Sequence, residues 1–276
     1  MKLEKSIREV MQGCGLPRLE ARMLMERVLQ KGRAWLIAHD DESMTAAAFE
    51  CFDALAQQRL NGQPMAYLMG EREFLGRMFY VSPAVLIPRP ETEMLVETGL
   101  SCLVGQQFAS VLDLGTGSGV IAVSLAKVRA GLQVMATDIS QTALDVAERN
   151  AATHQVKVEF RLGSWYEPVP LGMQFDLIVS NPPYIREGDE HLTQGDLRHE
   201  PRRALTDGAD GLSAIREIIR GSVDHLKQGA WVWIEHGYDQ ADTVRSIFNQ
   251  YGFRDIQSKK DLAGITRITG GRLLFQ

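Results

Sequence analysis

The sequence predicts an α/β protein, a mostly parallel sheet with helices on both faces, preceded by a small helical bundle. Three observations predict it. From Ser110 onward, short apolar runs alternate with helical stretches, the pattern of strands joined by crossover helices. The first sixty residues carry helical stripes and no comparable run. The last two strand-like pieces, near Asp255–Ser258 and Thr266–Leu274, have no helix between them, which predicts an antiparallel terminal hairpin.

Taken in order, Leu3, Ile7, Val10 and Met11 share one helical face until Gly13, Gly15 and Pro17 break it. Ala21, Leu24, Met25, Val28 and Leu29 form a second stripe. A third helix, from about Thr45 to Leu60, presents Phe49, Phe52 and Leu55 and stops at Asn61-Gly62 and Pro64. Residues 74–87, rich in β-branched and aromatic side chains, predict a short hairpin or extended connector. Glu91 and Glu93 then open a helix, where acidic side chains suit the positive end of its dipole. Strands follow at Val111–Leu114, Gln133–Asp138, Val158–Leu162, Phe175–Val179 and Trp231–Glu235, with helices over 120–128, 142–152, 212–226 and 241–250. The expected organisation is a helical bundle over 1–73, a hairpin or linker over 74–87 and a sheet domain over 88–276.

Composition narrows the function classes. The chain has 276 residues, 45% hydrophobic and 24% charged, close to globular averages, so it buries a proper core. A net charge of −5 argues against holding nucleic acid by bulk electrostatics. Cys14, Cys51 and Cys102 are scattered without C-x-x-C spacing and read as small buried or half-buried apolar residues in a reducing compartment. The six histidines show no metal spacing, so no metal site is expected. The N-terminus has no secretory apolar region, and no apolar run reaches the length of a bilayer span, so a cytoplasmic protein is expected.

Asp113-Leu-Gly-Thr-Gly-Ser-Gly119 joins a strand to a helix. Its glycines permit a tight turn and close approach to a ligand. The spacing is G-x-G-x-G, neither the dinucleotide fingerprint nor a P-loop. Asp138 ends the next strand, where a carboxylate accepts from both hydroxyls of a ribose. Glycine turn and acid together describe an adenosine cofactor. The strand Phe175–Val179 leads into Asn181-Pro-Pro-Tyr184. Neither proline donates to a sheet ladder, and each restricts the residue before it, so the chain leaves the strand at a fixed angle. Ligands in open α/β sheets sit at the carboxyl ends of strands. With the first and fourth strands as neighbours at the switch point, Asn181 and Tyr184 face a group held by the glycine turn.

These motifs resemble the class I S-adenosylmethionine-dependent methyltransferases, and Asn-Pro-Pro-Tyr is similar to the motif of those that methylate a planar nitrogen. Arg72-Glu-Phe-Leu-Gly76, the stretch from Val81 to Glu93, Gly163-Ser-Trp165 and Glu200-Pro-Arg-Arg-Ala-Leu205 extend the resemblance to the bacterial release factor glutamine methyltransferase family. It covers nearly the whole chain and is weakest in the first fifty residues. The resemblance implies a Rossmann-like class I methyltransferase sheet with an N-terminal helical domain for substrate recognition. It implies transfer of a methyl group to N5 of the glutamine in the Gly-Gly-Gln motif of class 1 peptide chain release factors, modulating translation termination, with S-adenosylhomocysteine as product. Carried over by motif, Gly115, Thr116, Gly117, Ser118 and Gly119 wrap the methionine part of the cofactor, Asp138 holds the ribose, and Trp165 lies against the adenine. Asn181, Pro182, Pro183 and Tyr184 hold the substrate glutamine, with Asn181 also against the cofactor. One departure is Ser164, where relatives commonly carry an acid beside the tryptophan.

An amide nitrogen is a poor nucleophile, so the site must align it with an already activated methyl group, and no metal is required. Orientation of this kind contributes up to about 7–11 kcal/mol. The Asn181 side-chain oxygen and the Pro182 backbone carbonyl are the two acceptors that select and orient an NH2 group, and they strengthen as positive charge develops on nitrogen. The Tyr184 ring favours that charge. Glu235 and His236, at a strand end near the site, are read as structural. Residues 185–211 lack clear periodicity and read as a substrate-facing lid. Arg198, Arg202 and Arg203 within it meet an acidic substrate surface or plain solvent. The partner expected is a release factor protein, with no direct nucleic-acid binding, no membrane and a monomeric chain. The alternatives are an adenine-N6 nucleic-acid methyltransferase, which also acts on a planar NH2, and a non-catalytic cofactor-binding adaptor.

Overall fold

The computed structural model describes residues 2–274, without the side chains of residues 2–4; Met1, Phe275 and Gln276, inside the expected domain bounds, lie outside the described residues. The chain divides after Glu71 into two compact units. The first is helical: α1 (Ile7–Gly13), α2 (Arg18–Leu29), α3 (Arg33–Ala38), α4 (Ala46–Leu60) and α5 (Met65–Met69), with a two-stranded ribbon of β1 (Lys2–Ser6) and β2 (Ser43–Thr45). The helix expected from Leu3 starts at Ile7. A capping box sets that start: the Glu9 N–H donates to the Ser6 hydroxyl while the Glu9 carboxylate accepts the Ser6 N–H at 2.8 Å. The unit's core joins Ile7, Val10, Leu24, Met25 and Phe52. Two short helices, α3 and α5, and the ribbon were not expected, because five- or six-residue elements show no full helical period. Cys14 and Cys102 are half-buried, but Cys51 is exposed, against expectation. It stands on α4 beside the buried Phe52 and takes the outer side of that helix.

The boundary falls at the first residue of β3 (Glu71–Phe74), which forms a hairpin with β4 (Arg77–Tyr80); an extended segment then leads to a short 3-10 turn at Pro90–Thr92. Helices α6 (Glu93–Cys102), α7 (Val120–Val128), α8 (Gln141–His154), α9 (Arg202–Leu205), α10 (Ser213–His225) and α11 (Ala241–Gln250) accompany seven strands. These are β5 (Ser110–Leu114), β6 (Gln133–Asp138), β7 (Glu159–Leu162), β8 (Phe175–Ser180), β9 (Leu226–Glu235), β10 (Arg254–Lys260) and β11 (Thr266–Arg272). They form one sheet in the order β10-β11-β9-β8-β5-β6-β7. The five strands from β9 to β7 run parallel, and β11 and β10 close the edge antiparallel, as the helix-free tail predicts. β5 and β8 are neighbours, as the switch-point reading requires. β9 begins five residues earlier than expected, because Lys227-Gln-Gly229 hides its start.

Side chains alternate between the two faces of the sheet, as strand geometry dictates. Val111, Leu177, Val179 and Trp233 pack with α6 and α7 on one face. Leu112, Ile178, Val232 and Ile234 pack with α10 and α11 on the other. Residues 185–211 are anchored within the second unit. Leu192, Glu200, Leu205 and Thr206 are buried, and Ile185 bridges to Thr206. Among the described residues, no helix is long and apolar enough to cross a membrane.

Gly270 in β11 has no room for a side chain: an added Cβ would stand 2.3 Å from the ring of the fully buried Trp233. Gly270→Ala therefore lowers stability by about 1–3 kcal/mol through overpacking. The measurement is the urea midpoint at constant m-value; an unchanged midpoint would mean that Trp233 repacks freely.

Candidate active site

The turn between β5 and α7 is built on positive backbone angles that favour glycine. At Gly115, φ is 71°, and an added Cβ would lie 3.1 Å from the Trp165 ring. At Gly119 it would lie 3.0 Å from the Cβ of Ala147, so this glycine lets α7 and α8 approach closely. Asp113, fully buried at the end of β5, braces the turn. One carboxylate oxygen accepts from the Thr116 hydroxyl at 2.7 Å and the Ala122 N–H at 3.2 Å. Its other oxygen has no partner. Burial pushes this carboxyl up to about 7, against the pull of those two donors.

Asp138 closes the other side. Its oxygens accept the Gly117 N–H and the Ser140 N–H, each at 2.9 Å. Burial raises its pKa, opposed by those backbone donors and by Arg203. Each oxygen keeps a lone pair for a further donor. Trp165 is held at φ 44°, unusual for so bulky a residue. Its carbonyl is fixed by the Thr137 hydroxyl at 2.9 Å.

At the end of β8 the Ser180 hydroxyl donates to the Leu114 carbonyl at 2.7 Å, tying the two strand exits together. The Asn181 amide nitrogen donates to the Thr92 hydroxyl oxygen at 3.1 Å. That hydroxyl donates to one oxygen of Glu235 at 2.7 Å, and the Tyr184 hydroxyl donates to the other at 3.2 Å. The Tyr184 carbonyl accepts from the Gln240 side chain at 2.9 Å. Glu235 and Thr92 are both buried. Burial pushes the Glu235 carboxyl up to about 7, while its two hydroxyl donors favour ionisation. Burial, and then the nearby Glu235 charge, hold the Tyr184 phenol neutral. His236 instead bonds Thr269 and the Gly237 carbonyl.

One pocket gathers Gly115, Thr116, Gly117, Ser118, Asp138, Trp165, Asn181 and Pro183. Gly119 and the side chains of Pro182 and Tyr184, also expected at the site, are not part of its wall: Gly119 and Pro182 are buried, and Tyr184 turns its hydroxyl to Glu235. The wall also includes Val85, Arg89, Thr92 and Ile139, which sequence reasoning left without a ligand role, and Ser164 and Arg203, which it considered only beside the adenine and against a substrate surface. Glu200 anchors part of it, accepting the Ile87 N–H at 2.9 Å and pairing with Arg89. The motifs containing these residues were visible in the sequence, but the meeting of Glu200 with Ile87, 113 positions apart, was not. The pocket suits an adenosine bearing a flexible chain. An added Cβ at Gly117 would meet nothing within 4 Å, so ligand atoms have room there. Asp138 offers free lone pairs, and Trp165 and Ile139 supply apolar wall. Among the described residues, no group of three His, Cys, Asp or Glu side chains is placed to hold a metal ion.

Residues 92–210 match the Methyltransferase small domain model, and residues 5–70 match the PrmC N-terminal domain model. The chain is 52% identical to the release factor glutamine methyltransferase of Bordetella pertussis, over 97% of this chain and 99% of that one. It is 49% identical to that of Neisseria gonorrhoeae, over 94% of each. In fold it is similar to a methyltransferase from Pyrococcus furiosus, with a TM-score of 0.56 and 18% identity over 79% of this chain and 98% of that one.

Asp113 carries a pH prediction. Its folded pKa is raised, so the fold favours the neutral form. The stability this gives is full below about pH 4 and is lost as pH rises through about 7. Relative to Asp113→Asn, the wild type loses about 1 kcal/mol per pH unit across that window. Urea unfolding from pH 5 to 8 reads it, and parallel curves for the two proteins would show that Asp113 is ionised throughout.

Proposed function

This chain belongs to the release factor glutamine methyltransferase family, and we propose that Asn181 and its neighbours present the glutamine of a Gly-Gly-Gln motif for methylation at N5. The protein is an S-adenosylmethionine-dependent methyltransferase that acts on release factors. The observation that carries the assignment of residues is that Asn181 lines the same pocket as the glycine turn and Asp138. Acceptor site and cofactor site are therefore one cavity.

S-adenosylmethionine supplies a sulfonium methyl group that is already activated. The chain's work is to position and to exclude water. On this reading, Gly115–Ser118 and Asp138 hold the donor, with Trp165 against its adenine. The Asn181 oxygen accepts one N–H of the glutamine amide and the Pro182 carbonyl accepts the other. Two acceptors select an NH2 group and aim the nitrogen lone pair. They become better partners as that nitrogen gains positive charge, so they stabilise the transition state more than the ground state. Tyr184 stays neutral, and its tether to Glu235 keeps the ring from swinging. The nitrogen becomes acidic after attack and loses its proton late, so no strong base is needed beside it. The N-terminal unit recognises the release factor. The net charge of −5 favours a protein substrate over bare nucleic acid, and on this reading the enzyme works as a monomer in the cytoplasm.

The test is methyl transfer from labelled S-adenosylmethionine to a purified class 1 release factor, with a Gln→Ala change in its Gly-Gly-Gln motif and DNA as controls. Label is expected on the intact factor and absent from the variant. Label on DNA alone would identify the planar NH2 as that of adenine. In the same assay Asn181→Ala lowers kcat by the loss of a hydrogen bond, about 1–3 kcal/mol, with misalignment adding to it. Its S-adenosylmethionine affinity stays nearly unchanged. Near-normal turnover would remove Asn181 from the mechanism.

A further inference from the structure

An amide side chain has two ends, and only its oxygen can accept from a substrate NH2. Which end of Asn181 faces the pocket therefore decides whether the acceptor works. Resting on the substrate reading above, we infer that the buried pair Thr92–Glu235 is a positioning device that fixes this choice through the ionised carboxylate of Glu235.

The hydrogen bonds carry the inference. An ionised carboxylate only accepts, whereas a threonine hydroxyl has a single proton to give. Thr92 gives it to Glu235 at 2.7 Å. Its oxygen then has only lone pairs left for Asn181, which lies 3.1 Å away. The Asn181 NH2 must turn to Thr92, and its oxygen is left for the pocket. Tyr184, donating to the second oxygen of Glu235, removes the other way of turning that carboxylate. Glu235 and Thr92 are 2% and 3% exposed, so water does not compete for these bonds.

Protonation reverses the logic. A neutral Glu235 becomes a donor, and Thr92 accepts from it and gives its own proton to Asn181. The amide then turns over and offers an NH2 group to an NH2 group. Ionisation lies within reach of neutral pH, since burial pushes this carboxyl up to about 7. Of the other charged groups around it, Glu91, on the turn before α6, opposes ionisation and Arg267, on β11, favours it. Arg267 itself pairs with Asp261. Arg89 acts on Tyr184. Next on the chain is His236, whose pKa burial lowers.

The experiment has two readouts. The first is the NMR shift of the Asn181 side-chain amide in the protein without cofactor, followed from about pH 6 to 8.5. The second is kcat and KM for release factor methylation over the same range. An inflection near pH 7 is expected in both, with kcat falling about tenfold per unit below it and KM flat. Glu235→Gln keeps the fold and abolishes both inflections. Thr92→Val lowers kcat about tenfold or more above the inflection, by loss of a buried hydrogen bond, and Thr92→Ser, which restores the hydroxyl, restores kcat. An NMR inflection that persists in Glu235→Gln, or wild-type kcat in Thr92→Val, overturns the inference. A wild type that labels no release factor overturns the substrate reading instead, and the amide shift still decides whether Glu235 sets Asn181.

Discussion

The register of four parallel strands is the constraint on which the site depends. Thr137 of β6 pairs with Leu114 of β5, Leu114 with Ser180 of β8, and Ser180 with Ile234 of β9. These four residues form one row across the sheet. The residues just beyond them are Asp138, Gly115, Asn181 and Glu235. Neighbouring strands lie about 4.8 Å apart, so the row brings Asp138, the glycine turn, Asn181 and Glu235 into one line. β5 and β8 end at this row, so Gly115 and Asn181 leave the sheet there, while Asp138 and Glu235 are the last residues of β6 and β9 and still pair with Leu162 and Ile268. The Ser180 hydroxyl on the Leu114 carbonyl locks the centre of that row.

Much of this was legible in the sequence. The glycine turn and Asp138 declare themselves because strand, turn, helix and acid follow one another within one local unit. Asn181-Pro-Pro-Tyr184 declares a strand exit for the same reason. The antiparallel edge could be read from the missing helix between the last two strands. The remainder depends on meetings across the chain. Thr92 and Glu235 are 143 residues apart and touch only because the turn before α6 packs against the end of β9. Nothing local distinguishes Glu235 from an acid that caps a strand, which is why it reads as structural. Nor does local pattern reveal that Gly119 serves helix packing while Gly117 opens onto the pocket. Residues 185–211 lack periodicity because they are held by single anchors, Glu200 to Ile87 and Ile185 to Thr206, which leave no repeating signature.

The two buried acids, Asp113 and Glu235, show what this geometry requires of the fold. Each is sealed from water, each is pushed towards neutral pH by burial, and each meets a threonine hydroxyl at 2.7 Å. Removing a carboxylate from water carries a penalty of several kcal/mol that imperfect pairing does not recover. An apolar pair of similar volume would pack at least as well. It would leave the glycine turn without its brace and Asn181 without a fixed sense. A threonine hydroxyl is suited to both places because it gives one proton and keeps lone pairs. At Thr116 it answers the acid and holds the turn, and at Thr92 it also passes a direction onward to the Asn181 amide. The sheet thus gives up stability at two strand ends, and on the proposed reading the return at each is the orientation of one half of the reaction: donor side at β5, acceptor side at β9.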